Sequence, residues 1–370
     1  MDKKKSRIIN TIYWIFMALW SMVCICVLAV FLDKFYCFLK DYQQSYDETR
    51  PKLMMDEIVV EFEEADVDWI LANANQITVS GFETQEVLKQ YVTEFMKGKK
   101  VSYQTKAGEH IEERPVYVVL LENSPFAIVR LEKKEETTEY GHPYWDLREV
   151  ELLVAPTISR SIVAPENSVV YVNGTELSEE YVTEINSENE NALYYTNFTE
   201  LVQLPGYKSY YVEGLFMEPE VEAKNFLGEI MEAEYIEKEE TYQFDFGMSE
   251  IVRQEVEEYF IQFTRDYAMY ISNDLNNSGL DKYFPAGSAL LKGIKNSSRA
   301  WFDDHKKPEI MNEELKELIL YTENAICARV YLEQYMYVPY SGNIEQLITD
   351  LKVFYIKLDG VWKVVGIVFE

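Results

Sequence analysis

The chain is poor in the residues on which most enzyme chemistry depends: four cysteines and three histidines in 370 residues. Cys24 and Cys26 lie inside one apolar run, Cys37 stands just past it, and Cys327 sits in a distant apolar stretch, so there is no disulfide framework. Only an unfavoured Cys37–Cys327 pair or an intermolecular Cys37 bridge remains. No spacing of Cys, His, Asp or Glu suits a metal, and no motif calls for a cofactor. Gly279, Gly287 and Gly293 are too scattered for a phosphate-cradling loop, and no nucleophile elbow is present. Basic residues are also short, 35 Lys and Arg against 64 Asp and Glu, for a formal charge of −29. Residues 1–7 carry +3 and residues 8–32 carry nothing, which leaves −32 on residues 33–370. Such a surface repels polyanions, and no basic stripe interleaved with aromatics offsets it, so nucleic acid is excluded as a partner. Anionic lipid is equally unattractive, and the acidity reads as solubility rather than as a specific cation site.

What is present begins with residues 8–32, 25 residues without Asp, Glu, Lys or Arg, preceded by Lys3, Lys4, Lys5 and Arg7. As a helix this run reaches about 37 Å at roughly 1.5 Å per residue, enough to cross a hydrocarbon core of about 30 Å. It is longer than a signal-peptide core, no small-residue cleavage site closes it, and Val23-Cys24-Ile25-Cys26 is not a lipid-attachment box. The reading is a retained single-pass anchor in contact with the bilayer. The positive-inside rule then makes residues 1–7 a cytoplasmic tail and places everything beyond Asp33 outside the cell membrane. Trp14 and Trp20 are expected to face lipid or a packing partner rather than to mark an interface. Apolarity on all sides argues against a buried helix of a soluble protein.

The exterior has ample core material in 28 Tyr, 19 Phe and 6 Trp, and its length suits two or three domains. Residues 33–50 read as a stalk that continues the helix until Pro51 resets it. Residues 51–155 form a first α+β domain. There Met55, Ile58, Val59 and Phe62 recur at helical spacing, as do Val87, Leu88, Tyr91, Val92 and Phe95 between Thr84 and Gly98. Runs at 115–121, 126–131 and 144–154 read as strands, the first two joined by Asn123-Ser124-Pro125. Residues 156–240 read as a small β-rich module, with Asn173-Gly174 as a hairpin turn after Val169-Val170-Tyr171-Val172 and the acidic stretch 237–240 as its exit linker. Residues 241–370 open with a long helix N-capped by Ser249, whose aromatic face runs through Val256, Tyr259 or Phe260, Phe263, Tyr267 and Tyr270 or Ile271. A second helical region at 287–302 follows. Alternation in 326–338 sends Ile326, Ala328 and Val330 to a core, and Asp359-Gly360 turns the final hairpin.

A long aromatic helix, a shorter helical region and then long strands ending in Leu358-Asp359-Gly360-Val361-Trp362-Lys363-Val364-Val365 resembles the cone-shaped α+β fold of nuclear transport factor 2 and ketosteroid isomerase. Residues 52–155 repeat the order more loosely, with Trp145-Asp146-Leu147-Arg148-Glu149-Val150 where Trp362-Lys363-Val364-Val365-Gly366-Ile367 stands, as a degenerate duplication would. The whole order of anchor, cone-like domain, β module and nuclear transport factor 2-like domain is similar to Gram-positive surface proteins of the teicoplanin-resistance-associated family. It lacks that family's cytoplasmic zinc ribbon, since residues 1–7 contain no cysteine. Single-pass scaffolds of conjugation machines resemble the same plan.

Enzymes of that superfamily abstract protons inside the cone with a carboxylate or an Asp–His pair. Asp266 and Asp274 are placed to enter a cone but read more simply as surface groups, and Asp303-Asp304-His305 reads as a solvated loop; no residue is assigned a catalytic role. Tyr259, Phe263, Tyr267 and Tyr270, with Trp301 at the mouth, are the candidate lining of a small-ligand pocket, against a filled core as the plainer reading. The expectation is therefore a non-catalytic, membrane-anchored extracellular scaffold of the cell envelope that engages a protein or cell-wall component. The alternatives are a ligand sensor or carrier, a scaffold of a conjugation or secretion machine, and an isomerase-like enzyme. Oligomeric state is not read from the chain.

Overall fold

The computed structural model describes residues 2–297 and 304–370, with side chains from residue 7 onward. It is a mixed α+β chain that divides into two compact units, residues 1–79 with 84–156 and residues 80–83 with 157–370.

In the first unit α1 (Asp2–Glu48) is one unbroken helix of 47 residues, long and apolar enough to span a membrane. All side chains from Arg7 to Gln44 are exposed, so none of the described residues covers the apolar run. The helix continues through residues 33–48 and Pro51 opens the next one, because proline's fixed φ suits a first helical turn and its missing N–H is no loss there. Then come α2 (Pro51–Glu63), α3 (Val67–Asn73) and α4 (Gln85–Met96), and an antiparallel sheet of β1 (Val101–Thr105), β2 (Val116–Leu121), β3 (Ser124–Thr137) and β4 (Pro143–Leu152) in that order. Phe62 and Phe95 pack on Phe126 to join helices and sheet. The β2–β3 turn is not Asn123-Ser124-Pro125 but Glu122-Asn123, with φ of 48° and 71°, and Ser124 already belongs to β3. The seven-residue α3 and the five-residue β1 were not foreseen; neither is long enough to show a period.

The second unit holds three sheets. Five strands, β5 (Ile158–Pro165), β8 (Val182–Asn186), β9 (Tyr207–Leu215), β11 (Ala233–Ile236) and β12 (Thr241–Phe244), lie in the order β11-β12-β5-β9-β8. Beside them β6 (Val169–Val172), β7 (Thr175–Glu176) and β10 (Val221–Lys224) make a sheet ordered β10-β6-β7. Asn173 and Gly174 turn the β6–β7 hairpin at φ 49° and 77°, the left-handed pair that a two-residue turn requires. The expected exit linker at 237–240 is instead the turn of the β11–β12 hairpin, and β12 pairs in parallel with β5. Residues 241–244 thus complete the middle sheet, where the reading of a C-terminal domain from residue 241 had placed them outside it. An acidic stretch looks like a solvated linker, but Glu240 takes the left-handed conformation (φ 50°) and closes the turn. Residues 80–83 are built into this unit: Phe82 lies in its core, Asn173 donates to the Phe82 carbonyl at 3.1 Å, and buried Glu83 accepts from the backbone N–H groups of Phe216 and Met217 at 2.9 and 3.1 Å.

The last part of this unit consists of α5 (Glu250–Ile271), α6 (Ala289–Asn296) and a meander of β13 (Glu309–Thr322), β14 (Ala325–Val338), β15 (Asn343–Leu358) and β16 (Val361–Phe369). The helical region expected over 287–302 is present as α6; residues 298–303 lie outside those described. The long α5 buries Val256, Phe260 rather than Tyr259, Phe263, Tyr267 and Tyr270 against Ile326, Ala328, Val330, Val353 and Tyr355 on one face of the sheet. The other face is covered at one end by the segment that follows β8, where Tyr195, Val202 and Leu204 meet Cys327, Phe354 and Ile356. Tyr194 stacks on Phe354 with ring centroids 3.9 Å apart, and a Cβ at position 366 would run into the Tyr194 ring, so Gly366 is what admits it.

Candidate functional site

The aromatic set singled out in the sequence is placed by α5. Ser249 caps the helix by accepting from the Val252 N–H at 3.2 Å, and Glu229 accepts from the Ile251 N–H at 3.3 Å, which satisfies donors that a helix start leaves open. Burial pushes the Glu229 carboxyl up, yet Asn225, Ser249 and the Ile251 and Glu250 N–H groups together hold it below its ordinary value. Phe263, Tyr267 and Tyr270 all fall on the buried face, and Tyr259 is half-buried with its hydroxyl donating to the Trp362 carbonyl at 2.7 Å. Trp301 lies outside the described residues. Phe260 stacks on Tyr355 at 4.0 Å, and Phe263 meets Tyr283, Phe284 and Tyr355 edge to face. The interior between α5 and the sheet is therefore occupied by rings. Tyr355 is wholly buried there and its hydroxyl has no partner among the described residues; burial holds that phenol far above its usual range, protonated at any working pH.

The carboxylates of this region are tied up. Asp266 accepts from Tyr283 and Gln262 at 2.7 Å each and pairs with Lys282 at 3.0 Å. Asp274 accepts from Ser272 at 2.6 Å and faces His305 Nε2 at 3.0 Å. His305 is thus not the solvated loop residue the sequence suggested: it folds back on Asp274, a pairing 31 positions apart that no local pattern announces. Hydroxyl and imidazole thus converge on one carboxylate.

A different place has the character of a site. A cleft of about 640 Å³ opens in the second unit where the β11–β12 hairpin, residues 225–232 and the start of α5 come together. Among the described residues its walls carry Glu232, Glu234, Asp245 and Glu250 and no Lys, Arg or His, while Phe226, Ile230 and Met248 supply apolar surface exposed at 36, 69 and 38 %. A neighbouring cleft lined by residues 186–192, Tyr207, Tyr321 and Lys352 shares Asp245 and Phe246 with it, and is polar, with Asn191 donating to the Tyr321 hydroxyl at 2.9 Å. Of the sequence-selected aromatics, Tyr259, Phe263, Tyr267 and Tyr270 line neither cleft. The acidic cleft was missed because residues 237–240 read as a linker. The signal that could have found it is the β-rich stretch on either side of them, Ala233-Glu234-Tyr235-Ile236 and Thr241-Tyr242-Gln243-Phe244.

No protein-family model matches the chain, and no curated protein matches it. Among solved structures the chain is similar to one described as an Ntf2 like protein involved in plasmid conjugation, at 8 % identity over 83 % of this chain and 87 % of that one, with a TM-score of 0.25.

Proposed function

We propose that the chain is a non-catalytic scaffold of a Gram-positive cell envelope, held in the cell membrane by residues 8–32 with residues 1–7 in the cytoplasm, and that its exterior binds a protein or cell-wall component. In this reading residues 51–155 and the α5-to-β16 region are both nuclear transport factor 2-like, with the β-rich module between them in the chain. One observation carries the reading: the space between α5 and its sheet, where enzymes and carriers of that fold hold their substrates, is filled by Phe260, Phe263, Tyr267, Tyr283 and Tyr355, while exposed apolar side chains gather at the cleft outside it. Photo-crosslinkers placed at Ile230 and Met248 in living cells test it. A discrete adduct absent from crosslinkers on the first unit supports a scaffold; uniform labelling at all positions overturns it. A small-ligand carrier is the second reading, favoured by the Tyr355 hydroxyl, which has no partner among the described residues. A molecule retained by the purified chain through dialysis and lost in Tyr355→Phe would establish that reading instead.

A further inference from the structure

We infer that the acidic cleft is the docking place of an extended, basic peptide segment of another protein, which adds as a strand to the free edge of β11. This inference rests on the scaffold reading and names the partner's chemistry. β11 is the edge of its five-stranded sheet, paired on one side with β12 and on the other with no strand among the described residues. The chain just before it is tied elsewhere, the Met231 N–H donating to the Ala223 carbonyl at 2.8 Å, so the free edge begins at Glu232. An open strand edge presents unpaired N–H and C=O groups that template another strand, and natural proteins blunt such edges with lysine, proline or a covering loop. β11 holds neither lysine nor proline; its residues are Ala233, Glu234, Tyr235 and Ile236, three of them exposed, and its one charge is the Glu234 carboxylate, which repels a like-charged strand and leaves the edge open to a basic one.

The side chains state what should lie there. Glu234 stands opposite Gln243, and the strand's period of two puts Glu232 and Asp245 on that same face, where all four line the cleft. Asp245 is engaged by Tyr207 and Gln243, and Glu250 lies 3.8 Å from Arg253; Glu232 and Glu234 have no ion pair among the described residues. The opposite face of the hairpin, by contrast, carries Arg160, paired with Glu218 and set over the Tyr235 ring. A peptide laid on β11 therefore meets carboxylates on one side and the half-exposed Tyr235 on the other. Lysine or arginine fits the first, its methylene stem lying along Phe226, Ile230 and Met248 while its head reaches Glu232 and Glu234. A β-branched or aromatic residue fits the second. The segment that satisfies both alternates basic and apolar residues. A second copy of this chain is the wrong partner by charge, since it would bring another −32 to an acidic surface.

The test uses the full chain in neutral phosphatidylcholine nanodiscs, which do not attract cations. The probe is a fluorescent octapeptide alternating lysine and valine, followed by anisotropy. Saturable, salt-weakened binding is expected. It should fall about tenfold or more in the Glu232→Lys, Glu234→Lys chain, and comparably when alternate peptide nitrogens are methylated so that the probe cannot pair as a strand. Both glutamates are exposed, so the reversal leaves the fold intact, and Ile230→Ser, which removes only the stem's resting place, serves as a milder second variant with a few-fold loss expected. Absence of saturable binding, equal binding by the reversed chain, or equal binding of the methylated probe each overturns the inference. Self-association of the parent chain that disappears in the reversed chain also overturns it and makes a second copy the occupant. If the peptide fails while Ile230 still crosslinks to one protein in cells, only the partner's chemistry is wrong; if no exterior position yields an adduct, the scaffold reading fails with it.

Discussion

The two four-stranded meanders, one in each unit, make the most instructive pair of regions. Both follow helices, both run in simple antiparallel order, and both carry a tryptophan near the start of the fourth strand, Trp145 in β4 and Trp362 in β16. They differ in what happens on the face away from the helices. In the first unit that face mixes buried Val116 and Ile128 with an ion-pair cluster, in which Arg130 in β3 pairs with Glu149 and Glu151 of β4 at 2.8 Å each. The second meander has a similar arrangement at one level, where Arg329 meets Asp350 at 2.9 Å, but its hairpin end is sealed by Tyr194, Tyr195, Val202 and Leu204. A sheet with one wet face needs only alternation along its strands. A sheet covered twice needs, in addition, a foreign segment that fits and a place where the sheet makes room for it, here Gly366.

The largest expected effect comes from taking that cover away. Tyr195 is 1 % exposed and its hydroxyl reaches the carbonyls of Ile326 and Tyr355 at 3.1 and 3.3 Å. Tyr195→Ala should cost the second unit about 3–5 kcal/mol in urea unfolding. In a chain whose other cysteines are replaced by serine, it should also open Cys327 to maleimide. Burial holds that thiol up at about 12, so in the parent it should stay unlabelled. Rapid labelling of the parent would mean that the cover is not in place. Gly366→Val leaves the cover's residues intact and removes its room, for an expected loss of about 1–3 kcal/mol seen as a lower Tm. An unchanged Tm would show that Tyr194 does not pack there.

Acid should act on the second unit next. Glu229 at the start of α5 lies below its ordinary pKa, as does Asp350, which hydrogen bonds from Arg329 and Lys316 hold down against burial. Groups depressed on folding stabilise above their unfolded pKa, and that contribution is lost as the pH falls through the folded values. The urea midpoint should therefore hold at neutral pH and decline below about pH 4, the unfolded range of carboxylates. A midpoint that rises on acidification would break the assignment. The smallest effect belongs to the first unit: Arg130→Ala sits in a partly exposed ion pair and should cost below about 1 kcal/mol by the same urea titration. A larger loss would mean that the wet face contributes as much as the sealed one.

What the sequence made legible follows from how local each signal is. The α4 boundaries near Thr84 and Gly98, the Asn173-Gly174 and Asp359-Gly360 turns and the Ser249 cap were readable because a period, a left-handed φ or a capping oxygen acts within a few residues. The alternation in β14 was half legible. Ile326, Ala328 and Val330 announced one core, but the second, at Cys327, depends on residues 195–204, far back in the chain, where no local pattern points to it. The acidic cleft was illegible for the same reason: its floor is a hairpin whose turn is the charged stretch 237–240, and its apolar rim comes from two separate stretches, Phe226 with Ile230 and Met248. Of the candidate pocket, the sequence found the residues of the aromatic face without finding that their rings fill the space behind it.

The four residues at 80–83 set an order of events. A chain is delivered N-terminus first, so α3, Phe82, Glu83 and α4 are all made before the strands that will enclose Phe82 exist. The first unit is complete by residue 156, but Phe82 and Glu83 must wait until β9 and β12 have been delivered, some 130 to 160 positions later. During that interval the loop between α3 and α4 is an apolar ring and a carboxylate without their place. A gene fragment that starts at residue 157 never supplies them, so the second unit is a body with two birthplaces along the chain.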